Sequence, residues 1–490
     1  MKDKLTLLLL ACGGLLGGQN GEWQAPIPQE QMNQTEMKGM HANTPGMQRS
    51  ENPNHPADLQ TTVPDLLKDV AARTPLHLEE FQQFAMTGNP TLAQANAQVK
   101  QSAAQARQAG LLPNPSVGYQ GEQIRGGEYR GGEQGGFVQQ TIVLGGKLGL
   151  RRNVYEQQRR QDEIGASEQR YRVLSDVSQS FYSALAAQET VNVRRRLLAL
   201  AMDAVETAHQ LGNVGQADAP DVLQAEVEAE QAEIDYTTAQ RGYLQAFHSL
   251  AALVGKPELA VSPLQGDLEH PPAISADQIV DQILQDSPSV KRALQGIVRA
   301  EAEVKSAKRE SVPDVQLHAG LQQNFEPISE SGGKPVGLQG FATAGISLPL
   351  FNRNQGNVDA ASAELERAQA EVTRVRLSLR QAAQPLLQAY LSSQTEAALY
   401  KDKMIPRATR AYQLYLTKYQ QMGAAYPQVL VSQRTLFQLQ VGYIRALQNL
   451  WRTAIALQNY TLSSGLDAPA LSGMDGTGLN QPNSNSGGGQ

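Results

Sequence analysis

The sequence predicts a mostly α-helical fold that carries a membrane β-barrel, assembled from two tandem helix–β-hairpin–long helix–helix repeats. Three observations predict it. The same proline and glycine punctuation occurs twice, offset by about 200 residues. Each occurrence brackets a pair of short segments, and those of the second half alternate clearly with period 2. Each pair is followed by a stretch of about 60 residues, with apolar side chains at steps of 3 and 4 where the pattern is clearest.

Composition agrees with that reading. The 490 residues carry a net charge of −6, with 18% charged and 5% aromatic residues. The charged fraction is below the usual quarter, and the acidic balance offers no basic patch for nucleic acid. Gln, Ala and Gly are plentiful, which suits long polar helices better than a compact enzyme core. No stretch beyond the N-terminal signal has the ~20 consecutive apolar residues of a spanning helix, so a membrane crossing has to be a barrel.

At the N-terminus, Lys2 and Lys4 precede an apolar run from Leu5 to Ala11, which reads as a short secretory signal. The single cysteine excludes an intrachain disulfide. Leu9-Leu10-Ala11-Cys12 resembles a bacterial lipobox, so residues 1–12 are expected to be a lipoprotein signal ending at a lipidated Cys12. A plain signal with an incidental cysteine is the alternative. Residues 13–75 are polar, rich in Met, Asn, Gln and Pro, and expected to be extended.

The first repeat is expected over 76–262. Asn89-Pro90 opens a helix that ends at Leu112-Pro113-Asn114-Pro115. Strand-like runs at 115–123 and 137–144 flank a glycine-rich loop, which places the hairpin strands at about 113–145. Leu150 to about Leu211 holds no proline and spans roughly 90 Å as a helix. Gly212–Gly215 reverses the chain, and a return helix starts at Asp221-Val222-Leu223. A connector at 263–285 leads to the second repeat, expected over 286–465 with strands at about 313–350. Val315, Leu317, Ala319 and Leu321 alternate there with Gln316, His318, Gly320 and Gln322. The second long helix, Gly356 to about Gln421, is expected to bend at Pro385 and Pro406. Its turn is Met422-Gly423-Ala424 and its return helix starts at Gln428. Residues 466–490 are rich in Gly, Ser and Asn and expected to be disordered.

Four strands per chain cannot close a barrel, and lipid does not tolerate an open sheet edge. Long apolar stripes likewise need partner helices of equal length. A rotationally symmetric ring meets both needs.

Three phrases carry a family resemblance: Gln108-Ala109-Gly110-Leu111-Leu112-Pro113-Asn114-Pro115, Leu144-Gly145-Gly146-Lys147, and Gly215 through Asp221-Val222-Leu223-Gln224-Ala225. They resemble the TolC-type outer-membrane efflux proteins over roughly 76–465, and the first two are most similar to the heavy-metal branch, CzcC- and CusC-like. The resemblance implies a homotrimeric α/β-barrel duct: a twelve-stranded barrel, a helical barrel beneath it, and an equatorial collar from the connector. It implies a lipid-anchored passive channel of the outer membrane, with no cofactor. Its partners are then a periplasmic adaptor (membrane fusion) protein and an inner-membrane RND-type transporter. Its substrates are heavy-metal cations such as copper and silver, or cobalt, zinc and cadmium. Drug or solvent efflux and a type I secretion outlet are alternatives of the same fold. A structural coiled-coil surface protein is an alternative of another class, against which the strand pairs argue. No Ser/His/Asp or Cys/His arrangement is visible, so no enzyme activity is expected.

The resemblance also assigns sites. Gly212, Asn213, Val214 and Gly215, with Met422, Gly423 and Ala424, form tips that dock the adaptor; helix C-capping alone accounts for the glycines equally well. Known members narrow the periplasmic mouth with aspartates just after the second-repeat turn. The matching positions here are Gln428 and Val431, whereas Asp218 and Asp221 follow the first-repeat turn. The constriction is thus expected to be weaker, moved, or built from those two carboxylates. In the N-terminal segment, Met32, Met37, Met40, His41 and Met47 combine soft thioethers with an imidazole, which suits transient Cu(I) or Ag(I). The bland alternative is a polar linker with chance methionines. Gly145-Gly146-Lys147 fails as a phosphate loop, because no Ser or Thr follows and the spacing is wrong. Those glycines are expected to let a strand turn into a helix. Arg194-Arg195-Arg196 is expected to be a solvated face or an intersubunit ion-pair patch.

Overall fold

The computed structural model describes residues 66–70, 72–126, 129–130, 132–213, 218–328, 333–421 and 426–469. Cys12 and the group Met32, Met37, Met40, His41 and Met47 lie outside the described residues. All the described segments belong to one compact unit, Val63–Gln490.

Capping signals fix where the helices start. After α1 (Leu78–Gly88), the Asn89 side chain accepts the Thr91 N–H at 2.9 Å and Pro90 occupies the first turn of α2 (Pro90–Ala109). The first hairpin comprises β1 (Ser116–Glu122), a two-residue ribbon of β2 (Arg125–Gly126) and β3 (Tyr129–Arg130), and β4 (Glu133–Ile142). Then come α3 (Lys147–Asn213), 67 residues long, and α4 (Ala219–Leu253). At 1.5 Å per residue α3 is about 100 Å long. After α5 (Ile279–Asp286), the Ser287-Pro288 cap of α6 (Pro288–Arg309) repeats that of α2, with Ser287 Oγ accepting the Ser289 N–H. The second hairpin is β5 (Val315–Pro327) and β6 (Pro335–Ile346). The last helices are α7 (Gln355–Leu399), α8 (Ile405–Gln420) and α9 (Tyr426–Gln458).

Two details differ from the sequence expectation. Strands β4, β5 and β6 reach further toward the hairpin loops than the alternation marks, and polar side chains pair across β4 and β5 there. Glu133 on β4 accepts from Asn324 at 2.7 Å and from Gln322 on β5. Those residues carry no apolar signal, yet they extend the ladder. In the long second-repeat helix, Pro385 lies inside an unbroken α7, and the register changes at a π-helical turn, Tyr400–Met404. That turn delivers Pro406 to the first turn of α8, where its missing N–H costs no hydrogen bond.

The four long strands form one antiparallel sheet in the order β1-β4-β5-β6, so β1 and β6 are its edges. Near the sheet the helices pack in the order α2, α3, α6, α7; further away α4 and α9 flank α3, and α9 also covers α7 and α8. No described helix is long and apolar enough to cross a membrane.

The core sits where α1 and the connector wrap the helices. Phe81 contacts Phe181 and Phe247 at ring distances of 5.8 and 6.1 Å, and all three are fully buried. The connector is held by side chains that reach its backbone. Trp451 Nε1 donates to Leu268 O, Tyr243 Oη donates to Ser262 O, and Gln188 bonds both the N–H and the carbonyl of Leu264. Gly255 (φ +76°) lets the chain leave α4 against Gly88; a Cβ there would lie 2.4 Å from the Gly88 carbonyl oxygen.

Candidate functional site

The sheet has two chemically distinct faces. Register places Val117, Tyr119, Val138, Leu317, Leu321 and Leu338 on one face, where all are exposed. The opposite face carries Gln120, Glu122, Glu133, Gln139, Gln316, His318, Gln322, Asn324 and Thr343. A sheet that is apolar outward and polar inward suits lipid on one side and water on the other.

One cross-strand row on the polar face alternates glycine with phenylalanine: Gly118, Phe137, Gly320, Phe341. The rings lie over the glycines. A Cβ on Gly118 would meet Phe137 at 2.6 Å, and one on Gly320 would meet Phe341 at 2.7 Å. His318, one row away, sits between the two rings at 4.6 Å from Phe137 and 5.1 Å from Phe341, edge-on to both.

The joint between sheet and helices explains the Gly145-Gly146-Lys147 phrase. Both glycines have φ +70°, which swings β4 into α3. Lys147 is then buried and pairs with Asp314 at 2.8 Å, while Asp314 also accepts the Leu144 N–H at 3.0 Å. Arg151 adds a bidentate pair with Glu310. The two repeats are thus locked together at the sheet's base by one chain's own residues. Further along the helices, Glu168 on α3 receives Arg172 and Arg292, and Arg299 on α6 bridges Glu303 of its own helix and Glu364 of α7. Burial pushes the Glu303 carboxyl up, whereas Arg367 beside Glu364 holds that carboxyl below its ordinary range.

At the opposite end, the predicted tip residues Gly212 and Asn213 form the last turn of α3. Val214, Gly215, Met422, Gly423 and Ala424 lie outside the described residues. Asp218 is the N-cap of α4, where its carbonyl accepts the Asp221 N–H but its side chain makes no capping bond. Asp221 lies in the first turn of α4; burial, then the Asp221 charge, push up the phenol of Tyr419 near the end of α8. Gln428 and Val431 line an open groove of about 420 Å³ between α8 and α9, with Ala408, Ala411, Tyr415 and Ser432. Asp221 thus stands at the start of α4, whereas Gln428 and Val431 line the groove between α8 and α9.

Sequence reasoning missed a second recess. A cleft of about 380 Å³ lies between α3, α4 and α9, floored by Leu197, Ala201, Ala232 and Phe437. Arg194 pairs with Asp235 at 2.7 Å across α3 and α4, and Arg434 pairs with Glu228 across α9 and α4. Arg195 donates to the Tyr236 hydroxyl and covers its ring. Two of the three arginines thus find partners within the chain, while Arg195 and Arg196 stay exposed, in keeping with a solvated face. The signal lay in Asp235-Tyr236, about 40 residues on, which a local reading does not pair with it. His209 also pairs across the tip helices, with Glu226 at 3.1 Å. Among the described residues no group of three or more His, Cys, Asp or Glu side chains is arranged to hold a metal ion.

Comparison with known proteins fits this geometry. The chain is 27% identical over 386 residues to the cobalt-zinc-cadmium resistance protein CzcC of Cupriavidus metallidurans, covering 79% of this chain and 90% of that one. It is 28% identical over 313 residues to the nickel-cobalt-cadmium resistance protein NccC of Alcaligenes xylosoxydans xylosoxydans, covering 63% and 68%. A crystal structure of CusC superposes with a TM-score of 0.64 at 18% identity, over 79% of this chain and 92% of that one, and shares the fold. Residues 83–256 and 279–461 match the sequence pattern of one family in two blocks, one for each repeat, and on that match the chain belongs to the outer membrane efflux protein family.

Proposed function

We propose that this efflux channel of the outer membrane conducts heavy-metal cations, as a homotrimer coupled to a periplasmic adaptor and an inner-membrane RND-type transporter. The observation that carries the channel reading is the two-faced, four-stranded sheet whose edges, β1 and β6, pair with no other described strand, continuous with helices about 100 Å long. Unpaired edges in lipid require further copies of the chain, and three copies give twelve strands. The polar face then lines the lumen. The metal reading is supported by the likeness to CzcC and NccC. Conduction is passive: the wall supplies a water-filled path and the transporter supplies the energy.

The helix-reversal tips, with Gly212, Asn213, Val214, Gly215, Met422, Gly423 and Ala424, dock the adaptor. Asp218 and Asp221 take the place of the usual aspartate ring at the mouth, supported by their position at the start of α4 just after the first-repeat turn. Gln428 and Val431 face the α8–α9 groove instead. Cys12 carries the lipid anchor, supported by the lipobox-like Leu9-Leu10-Ala11-Cys12. The test is removal of the chain from its native cell. The expected result is lower tolerance to zinc, cobalt and cadmium with raised cell-associated metal, and unchanged tolerance to toluene. The reverse pattern overturns the metal reading in favour of organic-solvent efflux.

A further inference from the structure

We propose that His318 is the lumen residue that contacts the ion in transit, its imidazole taking one position in the hydration shell of a borderline divalent cation. The proposal rests on the metal-cation reading above. His318 is the only histidine in the described strands, and it stands on the polar face near the middle of the sheet. Its directly opposed neighbours on that face are Gln139 and Thr343, both uncharged. The nearest charged groups on the face are Glu122 and Glu133, which share a row with Asn324 near the hairpin loops, and Asp314, which is paired with Lys147 at the base. Among the described residues at this level of the wall, the imidazole is the one side chain suited to bind a transition-metal ion.

Its mounting is fixed. Phe137 and Phe341 grip the ring edge-on from both neighbouring strands, and each phenylalanine is itself seated on a glycine. A single imidazole beside amide and hydroxyl oxygens binds zinc, nickel or cobalt weakly and exchanges fast, which is what a conducting path requires. Magnesium, a hard oxygen-seeking ion, gains nothing from it.

The experiment reconstitutes the full-length protein in planar bilayers and titrates Ni²⁺, with Mg²⁺ as control. Block is read as a fraction of each protein's own open current. The expected result is a reversible Ni²⁺ block that Mg²⁺ does not reproduce, weakened about tenfold in both His318→Gln and His318→Phe. Glutamine keeps a polar side chain and phenylalanine keeps the ring between its clamps, so a variant that fails to fold does not leave the question open. Equal Ni²⁺ block in wild type and both variants overturns the proposal, as does absence of block in wild type. Loss of block in one variant alone also overturns it, because it assigns His318 to packing or to general polarity. The two readings fail separately: a chain that supports metal tolerance without Ni²⁺ block loses this site and keeps its cargo, and the converse keeps the site and loses the cargo.

Discussion

Lys147 shows how one side chain fixes a wall. It is buried at the point where β4 becomes α3, and its ion-pair partner, Asp314, stands just before the second repeat's first strand. Lys147→Met leaves a half-buried carboxylate without its cation and is expected to cost about 2–3 kcal/mol. Urea unfolding in detergent measures it, and a loss below about 0.5 kcal/mol would show the pair to be incidental. Gly118 is a second such position. Gly118→Ala drives a methyl into the Phe137 ring, at an expected cost of about 1–3 kcal/mol. Because the obstruction is a side chain, Phe137→Ala in the same protein should recover part of that loss, and a double-mutant cycle with no coupling would refute the seating. Both residues could be noticed in the sequence as part of glycine-rich phrases. Their partners could not, because Asp314 and Phe137 come from across a sheet whose register a linear pattern does not specify.

Among the elements, the segment after α9 is held more tightly than its composition suggests. The expected start of disorder at residue 466 falls just where the backbone is pinned: Asp176 accepts the Gly465 N–H at 2.6 Å, and Gln169 donates to the Gly465 carbonyl at 2.9 Å. A Cβ on Gly465 would lie 2.8 Å from the Val173 backbone. Burial raises the Asp176 carboxyl above its ordinary value, ahead of the lowering by the backbone N–H groups of Gly465 and Ser464. The folded protein therefore binds this proton more tightly than the unfolded chain does. Ionisation costs stability, and that cost is absent below the unfolded value and grows as pH rises through the folded one. Asp176→Asn removes it. The stability difference between variant and wild type should shift in the variant's favour as pH rises from about 3 to 7, followed by urea midpoints at each pH. A shift in the opposite direction would mean the ionised carboxylate is the better anchor. The π-helical turn at Tyr400–Met404 was illegible for a similar reason: Pro406 announces a disturbance, but only packing decides whether the chain kinks or widens by one residue.

At the scale of the whole molecule, the sheet's two faces make a contrast between adjacent residues. Leu317 stands on the apolar face and Gln316 on the polar one. Leu317→Arg places a charge in lipid and is expected to cost about 2–4 kcal/mol, lowering the fraction inserted in the outer membrane. Gln316→Arg should insert normally, because its side chain meets water. Equal insertion of both variants, read by heat-dependent gel migration of membrane fractions, would contradict the assignment of faces. The fold itself was largely open to sequence reading at this scale. Period-2 runs gave the hairpins, and duplicated Asn89-Pro90 and Ser287-Pro288 caps gave the repeats, because each signal is local and physical. The candidate site was open only in part. Asp221 could be placed near a tip, but Tyr419, whose phenol its charge helps push up, lies almost 200 residues away in the chain.

The sequence by itself determined the order of the hairpins and long helices in each repeat and, in the second hairpin, which strand face is apolar. Those follow from periodicity, caps and breakers, which act within a few residues. The tertiary structure alone decided that β4 pairs with β5, that Lys147 meets Asp314, that Arg194 clamps Asp235 and that His318 is gripped between Phe137 and Phe341. Each of these joins residues distant in the chain, and no local rule specifies which distant partner a charge or a ring will meet once the helices and strands have packed.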